Sequence, residues 1–334
     1  MIKIFFKPLF ENKNLVFYWM CLCSFMILCM VSIGGVTRLT NSGLSIVEWK
    51  PVTGIIPPLS KKDWNVEFGK YKQSPEFKLI NNKIKIEEFK NIFWLEFIHR
   101  LAGRIVGIVF FIPAIIFWNL ELLENRTKKS IISISIFGLL QGFMGWYMVK
   151  SGLSFSPYVS HFRLTLHLLL ALVIFGIAID ESIKLYYKKN YNYSINKFNI
   201  LCIGLTALQI AFGGLVAGLD AGLIYSTFPL MNGKILPEEL YFEDFNQFLY
   251  NPGIVQFFHR IIAYALSSAI IYLCVQKLRA KKCYMPIFLI FLLCMQFTFG
   301  VLTLIFQVPI LLASLHQLFA FLLFATLIFF ARKA

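Results

Sequence analysis

Charge is what this chain has least of. Aspartate, glutamate, lysine and arginine make up 15% of its 334 residues, while 58% are hydrophobic and 17% aromatic. So little polar surface cannot clothe a soluble globule, and a water-soluble fold is excluded. Acidic residues are the scarcer sign, 17 against 32 basic ones, giving a formal net charge of +15. Such an excess suits nucleic acid when it gathers on one face. Here it is parcelled out between apolar stretches, so it reads as a topology signal and no nucleic-acid partner is expected.

What the chain does have is a series of nearly uncharged segments of about 20 residues, the length that a hydrocarbon core of roughly 30 Å requires. Eight are expected, near residues 15–36, 94–120, 130–149, 161–183, 197–218, 255–276, 284–306 and 309–331. Basic residues mark alternate connections: Arg126, Lys128 and Lys129 after the second segment, Lys184, Lys188, Lys189 and Lys197 after the fourth, and Lys277, Arg279, Lys281 and Lys282 after the sixth. Lys3, Lys7 and Lys13 precede the first segment, and Arg332 and Lys333 follow the last. The positive-inside rule puts all of these, with both termini, in the cytoplasm. The 37–93 connection carries Glu48, Asp63, Glu67, Glu76, Glu87 and Glu88 among its lysines, and the 219–254 connection carries Asp220, Glu238, Glu239, Glu243 and Asp244 against Lys234. Both are expected outside. The first segment is too long for a removable signal and lacks a small-residue cleavage site after it, so it is expected to stay as a membrane helix. The location expected is a multi-pass protein of the bacterial inner (plasma) membrane, in preference to the mitochondrial inner membrane.

The outer connections contain no cysteine. Those at 21, 23, 29, 202, 274, 283 and 294 fall in helices or on the cytoplasmic side, which excludes a structural disulfide. Cys21-Leu22-Cys23, embedded in an apolar helix, is a poor metal motif and reads as packing.

The chain also repeats itself. Gly35 to Leu44 aligns with Gly214 to Leu223, and Gly54 and Pro58 align with Gly233 and Pro237. Phe97-Ile98-His99-Arg100 matches Phe257-Phe258-His259-Arg260; Gln141 and Gly145 match Gln296 and Gly300; His167 matches His316. The expected fold class is therefore all-α integral membrane, with eight transmembrane helices as two tandem four-helix bundles, residues 1–190 and 191–334. An even number of spans gives each half the same orientation, a parallel repeat. Gly103 and Gly107 suggest close helix contact in the second span.

Four of the five histidines, His99, His167, His259 and His316, fall at equivalent places on even-numbered spans and at one depth near the outer face. Ionisable residues within a membrane are costly and mark function. Two imidazoles facing one another across a bundle suit the two axial positions of a haem iron. Zinc or copper would want further ligands, and only Glu96 is nearby. Arg100 and Arg260 follow the first histidine of each pair and are candidates to bind a haem propionate, or to snorkel to headgroups. Glu96, three residues before His99, shares its helix face; the corresponding residue in the second half is the neutral Gln256. That asymmetry suggests chemistry in the first half and electron storage or transfer in the second. His161 has no counterpart and is expected at the interface rather than on a metal.

The segments Gly34-Gly35-Val36-Thr37-Arg38-Leu39-Thr40 with Ser42-Gly43-Leu44, Glu96 to Arg104, Phe162-Arg163-Leu164 through His167-Leu168, Gly213 to Gly222 with Phe228-Pro229-Leu230-Met231, Phe258-His259-Arg260 and Leu315-His316-Gln317 resemble the haem A synthase family of cytochrome oxidase assembly factors. The resemblance implies oxidation of the C8 methyl of haem O to a formyl group, yielding haem A for terminal oxidases. It implies haem b on His259 and His316, and substrate haem with the chemistry at His99, His167 and Glu96. Partners consistent with it are haem O, membrane lipid, an unidentified electron donor, and haem O synthase or cytochrome oxidase; self-association into a homo-oligomer stays open. Some members carry a cysteine pair in the first outer loop; this chain does not. His161 stands where a tyrosine is common. A haem carrier or insertion chaperone, or a b-type electron-transfer protein, would use the same ligands, although the latter usually places haems at two depths; a transporter would want charges along a path to the inner face.

Overall fold

In the computed structural model the described residues are 14–51, 53–153, 157–188, 194–240, 248–280 and 284–333. Lys3, Lys7, Lys13, Lys189, Glu243, Asp244, Lys281, Lys282 and Cys283 lie outside them. Eight helices are long and apolar enough to cross a membrane. They are α1 (Leu15–Leu39), α4 (Ile86–Asn119), α5 (Asn125–Gly152), α6 (His161–Tyr187), α7 (Lys197–Gly218), α8 (Pro252–Ala280), α9 (Met285–Ile305) and α10 (Ile310–Lys333). Two short helices, α2 (Lys61–Tyr71) and α3 (Pro75–Leu79), occupy the first long connection. Among the described residues there is no strand, only an isolated bridge between Met231 and Lys234.

The expected spans are all present, and the largest departure is at α4, which begins at Ile86 rather than near 94. Its extra turns stand above the apolar stretch, with Glu87 and Glu88 in the first turn, where carboxylates complement the exposed amides. The helices α2 and α3 were not legible as elements because their apolar residues are few. Ser60 and Asp63 close a reciprocal capping box on α2, and Ser74 caps α3 with Pro75 behind it.

Helices α1, α6, α7 and α10 pack against one another at the centre, with α4 and α5 on one flank and α8 and α9 on the other. One buried cluster joins Trp19, Phe110, Phe117, Phe175, Phe321 and Phe324 across α1, α4, α6 and α10. A second joins Cys202, Leu266, Ile270, Leu289 and Leu323 across α7 to α10. Buried charge is compensated: Glu181, fully buried on α6, accepts from Thr127 (2.7 Å) and Ser130 (2.5 Å) of α5 and pairs with Lys184. Between the end of α1 and the turn after α7, Arg38 pairs with Asp220 at 2.8 Å and donates to the Ala217 carbonyl. Asn41 and Asp220, aligned in the repeat, both adopt left-handed backbone, φ 49° and 50°. Gly103 faces Met30 of α1, but a Cβ on Gly107 would meet nothing within 4 Å, so only the first serves close packing.

Gly176 of α6 lies against Phe324 of α10, where a Cβ would come within 3.1 Å of the ring. Gly176→Leu overfills that crossing and is expected to destabilise by about 1–3 kcal/mol, read as a lower midpoint of thermal unfolding in detergent.

Candidate functional site

The four repeated histidines lie one each on α4, α6, α8 and α10, and each ring rests on a glycine of the preceding membrane span. A Cβ on Gly34 (α1) would lie 3.2 Å from His99 Nε2, and one on Gly145 (α5) 3.4 Å from His167 Cε1. In the other half, a Cβ on Gly213 (α7) would lie 3.4 Å from His259 Cε1, and one on Gly300 (α9) 2.7 Å from His316 Cε1. Gly34 aligns with Gly213 and Gly145 with Gly300, so each imidazole fills space that the facing helix leaves by lacking a side chain. The repeat had singled out Gly145 and Gly300; their role as ring seats was not legible, because a glycine in an apolar helix reads first as helix packing.

Glutamines share this layer. The Nε2 atoms of Gln141 and Gln296 lie 3.3 and 3.5 Å from Nε2 of His167 and His316, and Gln209 Nε2 lies 3.2 Å from both ring nitrogens of His259. Gln209 went unnoticed in the sequence; Met30 stands at its place in the first half, so the repeat gave no signal. His316 Nδ1 is 3.0 Å from the Gln296 carbonyl. Donation there leaves Nε2 with its lone pair, the arrangement by which proteins orient a metal-binding imidazole.

The rings of His259 and His316 are 6.3 Å apart between centroids and inclined at 76°. Imidazole nitrogens bind metals at about 2 Å, which sets two rings on opposite sides of one ion roughly 6 Å apart between centroids. Several buried polar atoms in the same layer have no partner: the Oε1 atoms of Gln141, Gln209, Gln256 and Gln296, His167 Nδ1, Arg260 Nε, and the hydroxyls of Thr303 and Ser314. Buried polar atoms are ordinarily satisfied, and such a concentration marks room for a polar ligand. Among the described residues no three His, Cys, Asp or Glu side chains converge. Paired imidazoles without further ligands suit an ion that brings an equatorial set with it, as a porphyrin iron does.

The long connections 40–85 and 219–251 are fastened by the neighbouring residues. Glu96, 2% exposed, accepts from Arg100 at Oε1 (2.5 Å), and from Ser45 Oγ (2.7 Å) and the Ile46 amide (2.8 Å) at Oε2. Arg100 also donates to the carbonyls of Ile46 (2.9 Å) and Glu48 (3.1 Å) and lies over Trp49. Arg260 donates to the carbonyls of Tyr225 and Thr227, both at 3.0 Å, and Gln256 Nε2 also donates to Tyr225. Tyr225 and Thr227 are the repeat counterparts of Ile46 and Glu48. Both guanidiniums are thus engaged with loop carbonyls, while Arg260 keeps a buried Nε unpartnered. Beside Gln141, Trp49, Gly142, Phe143 and Trp146 line an open cavity of about 340 Å³.

His161 is 9% exposed, packed on Phe162 and Tyr250 and against Gly218 of α7. It occupies the seam between α6 and α7, away from the paired rings.

The family of cytochrome oxidase assembly proteins matches residues 17–328. A "Heme A synthase" of Rickettsia africae (strain ESF-5) is 43% identical over 95% of this chain and 97% of its own length. One of Rickettsia bellii (strain OSU 85-389) is 44% identical over the same shares. One of Wolbachia pipientis subsp. Culex pipiens (strain wPip) is 43% identical over 92% of this chain and 94% of its own length.

The glycine seats give a graded test. Gly300→Ala places a methyl inside contact distance of His316 and is expected to displace that ring and lower the thermal unfolding midpoint in detergent. Gly213→Ala, with ordinary spacing to His259, is expected to leave the midpoint near that of the wild type.

Proposed function

The chain belongs to the cytochrome oxidase assembly protein family, and from that premise we infer that it is a membrane-bound haem A synthase, oxidising the C8 methyl of haem O to a formyl group. We propose that haem b is held by His259 and His316, and that haem O binds in the first half between His99 and His167. The observation that carries this assignment is the facing of His259 and His316 at 6.3 Å with an oriented Nε2 on His316. When bound there, haem b supplies a one-electron carrier beside the reaction site.

The chain's own groups divide the remaining work. His99 and His167, seated on Gly34 and Gly145, orient the substrate porphyrin. Glu96, one helical turn from His99, is the side chain placed to accept a proton released during the oxidation. Ser45 Oγ, 2.7 Å from Oε2, holds that oxygen in place; its repeat counterpart is Ile224, so the second half lacks this hydroxyl. Arg100 and Arg260 hold the outer loops down and so exclude water from the layer, and the free Nε of Arg260 is the donor available to a haem propionate. The bacterial relatives point to the plasma membrane. Basic residues at the α4–α5, α6–α7 and α8–α9 connections support the orientation with both termini in the cytoplasm.

Two substitutions test this reading. His259→Ala or His316→Ala is expected to remove the b-type absorption; a retained bis-histidine spectrum overturns the haem b assignment. The second half already tolerates an amide where Glu96 stands, with Gln256 fastening its loop. Glu96→Gln is therefore expected to fold and bind haem, yet lose about 10²–10⁴-fold in haem A formation, measured by pigment extraction and mass analysis.

A further inference from the structure

The two halves differ in the wall beside their histidines. In the second half Phe297 of α9, next to Gln296, meets Phe228 of the long connection and Tyr264 of α8, with ring centroids 6.0 and 5.9 Å away. In the register of the repeat, Phe297 corresponds to Gly142, Phe228 to Trp49 and Tyr264 to Arg104. The first half thus keeps one aromatic ring of the three.

What stands there instead is space. A Cβ on Gly142 would meet nothing within 4 Å, and Trp49, Gly142, Phe143 and Trp146 line the open cavity of about 340 Å³. One turn further along α5 a Cβ on Gly138 would also meet nothing, where the second half has the buried Leu293. Arg104 is turned to the main chain, its Nε and Nη2 donating to the carbonyls of Pro51 and Lys50, both at 3.0 Å. Trp49 is held beside Arg100, whose guanidinium carbon lies 5.4 Å from the ring centroid.

The cavity has the volume of a small-molecule site, for which about 300–1,000 Å³ is usual, and the apolar, aromatic lining of one. It is continuous with the histidine layer: Gln141, next to Gly142, has its Nε2 3.3 Å from His167 Nε2, and its Oε1 is buried without a partner. Bilayer lipid meets the apolar flanks of both halves alike, whereas this hollow adjoins the histidines of the first half and is filled by side chains in the second. The occupant it fits is therefore part of the molecule bound in the first half.

We propose that this cavity is the specificity subsite of the first half, receiving the long apolar arm of its porphyrin, and that Phe297 closes the second half to such an arm. The inference rests on the reading of the first half as the haem O half. Haem O carries an isoprenoid chain at the ring edge where protohaem carries a vinyl group, so the two pigments differ in the feature that the two walls distinguish. Trp49, Phe143 and Trp146 offer that chain aromatic surface, and the missing side chain of Gly142 leaves it room.

The test uses the full-length protein in nanodiscs, titrated with haem O and with protohaem, bound pigment being identified by mass analysis. Wild type is expected to bind haem O in its first half at least about tenfold more tightly than protohaem. Gly142→Phe, which copies the plug of the second half, is expected to weaken haem O binding about a hundredfold while sparing protohaem and the second-half spectrum. Phe297→Gly is the reciprocal variant and decides the matter should Gly142→Phe fail to fold. With the first half emptied by His167→Ala and the protein taken from cells that make haem O, it is expected to carry haem O where its parent carries protohaem. Equal affinity of wild type for the two pigments, an unchanged preference in Gly142→Phe, or unchanged pigment in Phe297→Gly each overturns the subsite. So does loss of a bound phospholipid from Gly142→Phe with haem O affinity unaltered, which makes lipid the occupant. A wild type that prefers haem O but forms no haem A refutes the proposed oxidation and leaves the subsite standing.

Discussion

An imidazole in the middle of a helical bundle needs both room and a polar partner, and most of the architecture of this layer answers that need. The room comes from a glycine on the neighbouring helix, at Gly34, Gly145, Gly213 and Gly300. For His167, His259 and His316 the partner is a glutamine amide and, at His316, also a main-chain carbonyl. Each of these four bulky heterocycles meets a helix surface without a side chain.

The long connections follow a second rule, applied to both. An arginine next to a repeated histidine reaches up to two loop carbonyls, Arg100 to Ile46 and Glu48, Arg260 to Tyr225 and Thr227. The loops differ greatly in length, yet their first residues are anchored alike. The first half departs from the second in the group beside the arginine, a carboxylate with a serine hydroxyl on it against an amide. That is a small change of atoms at positions that match in sequence.

Much of this was legible in the chain. Eight apolar stretches gave eight helices because lipid leaves a backbone few other choices, and the aligned His-Arg pairs sit where neighbouring glycines and loop carbonyls meet them. What was not legible depended on direction rather than on residue type. Arg100 and Arg260 stood where a propionate could bind them, but their engagement with loop carbonyls needs the fold of the loop. Gln209 had no repeat partner to draw attention to it. The helices α2 and α3 carried too weak a pattern to be read, and with them the burial of Glu76, which in sequence looked like one more acid in a charged loop.

The side chains around Glu181 bear on how the protein is made. Its carboxylate is sunk completely into α6, and the hydroxyls that meet it, Thr127 and Ser130, belong to α5. Lys184 comes with it on the same helix, but the oxygens are fully covered only when the preceding span is alongside. A ribosome delivering these segments in order presents α5 first, so the insertion machinery has reason to retain that helix until its successor arrives and to discharge the two into the bilayer as a hairpin.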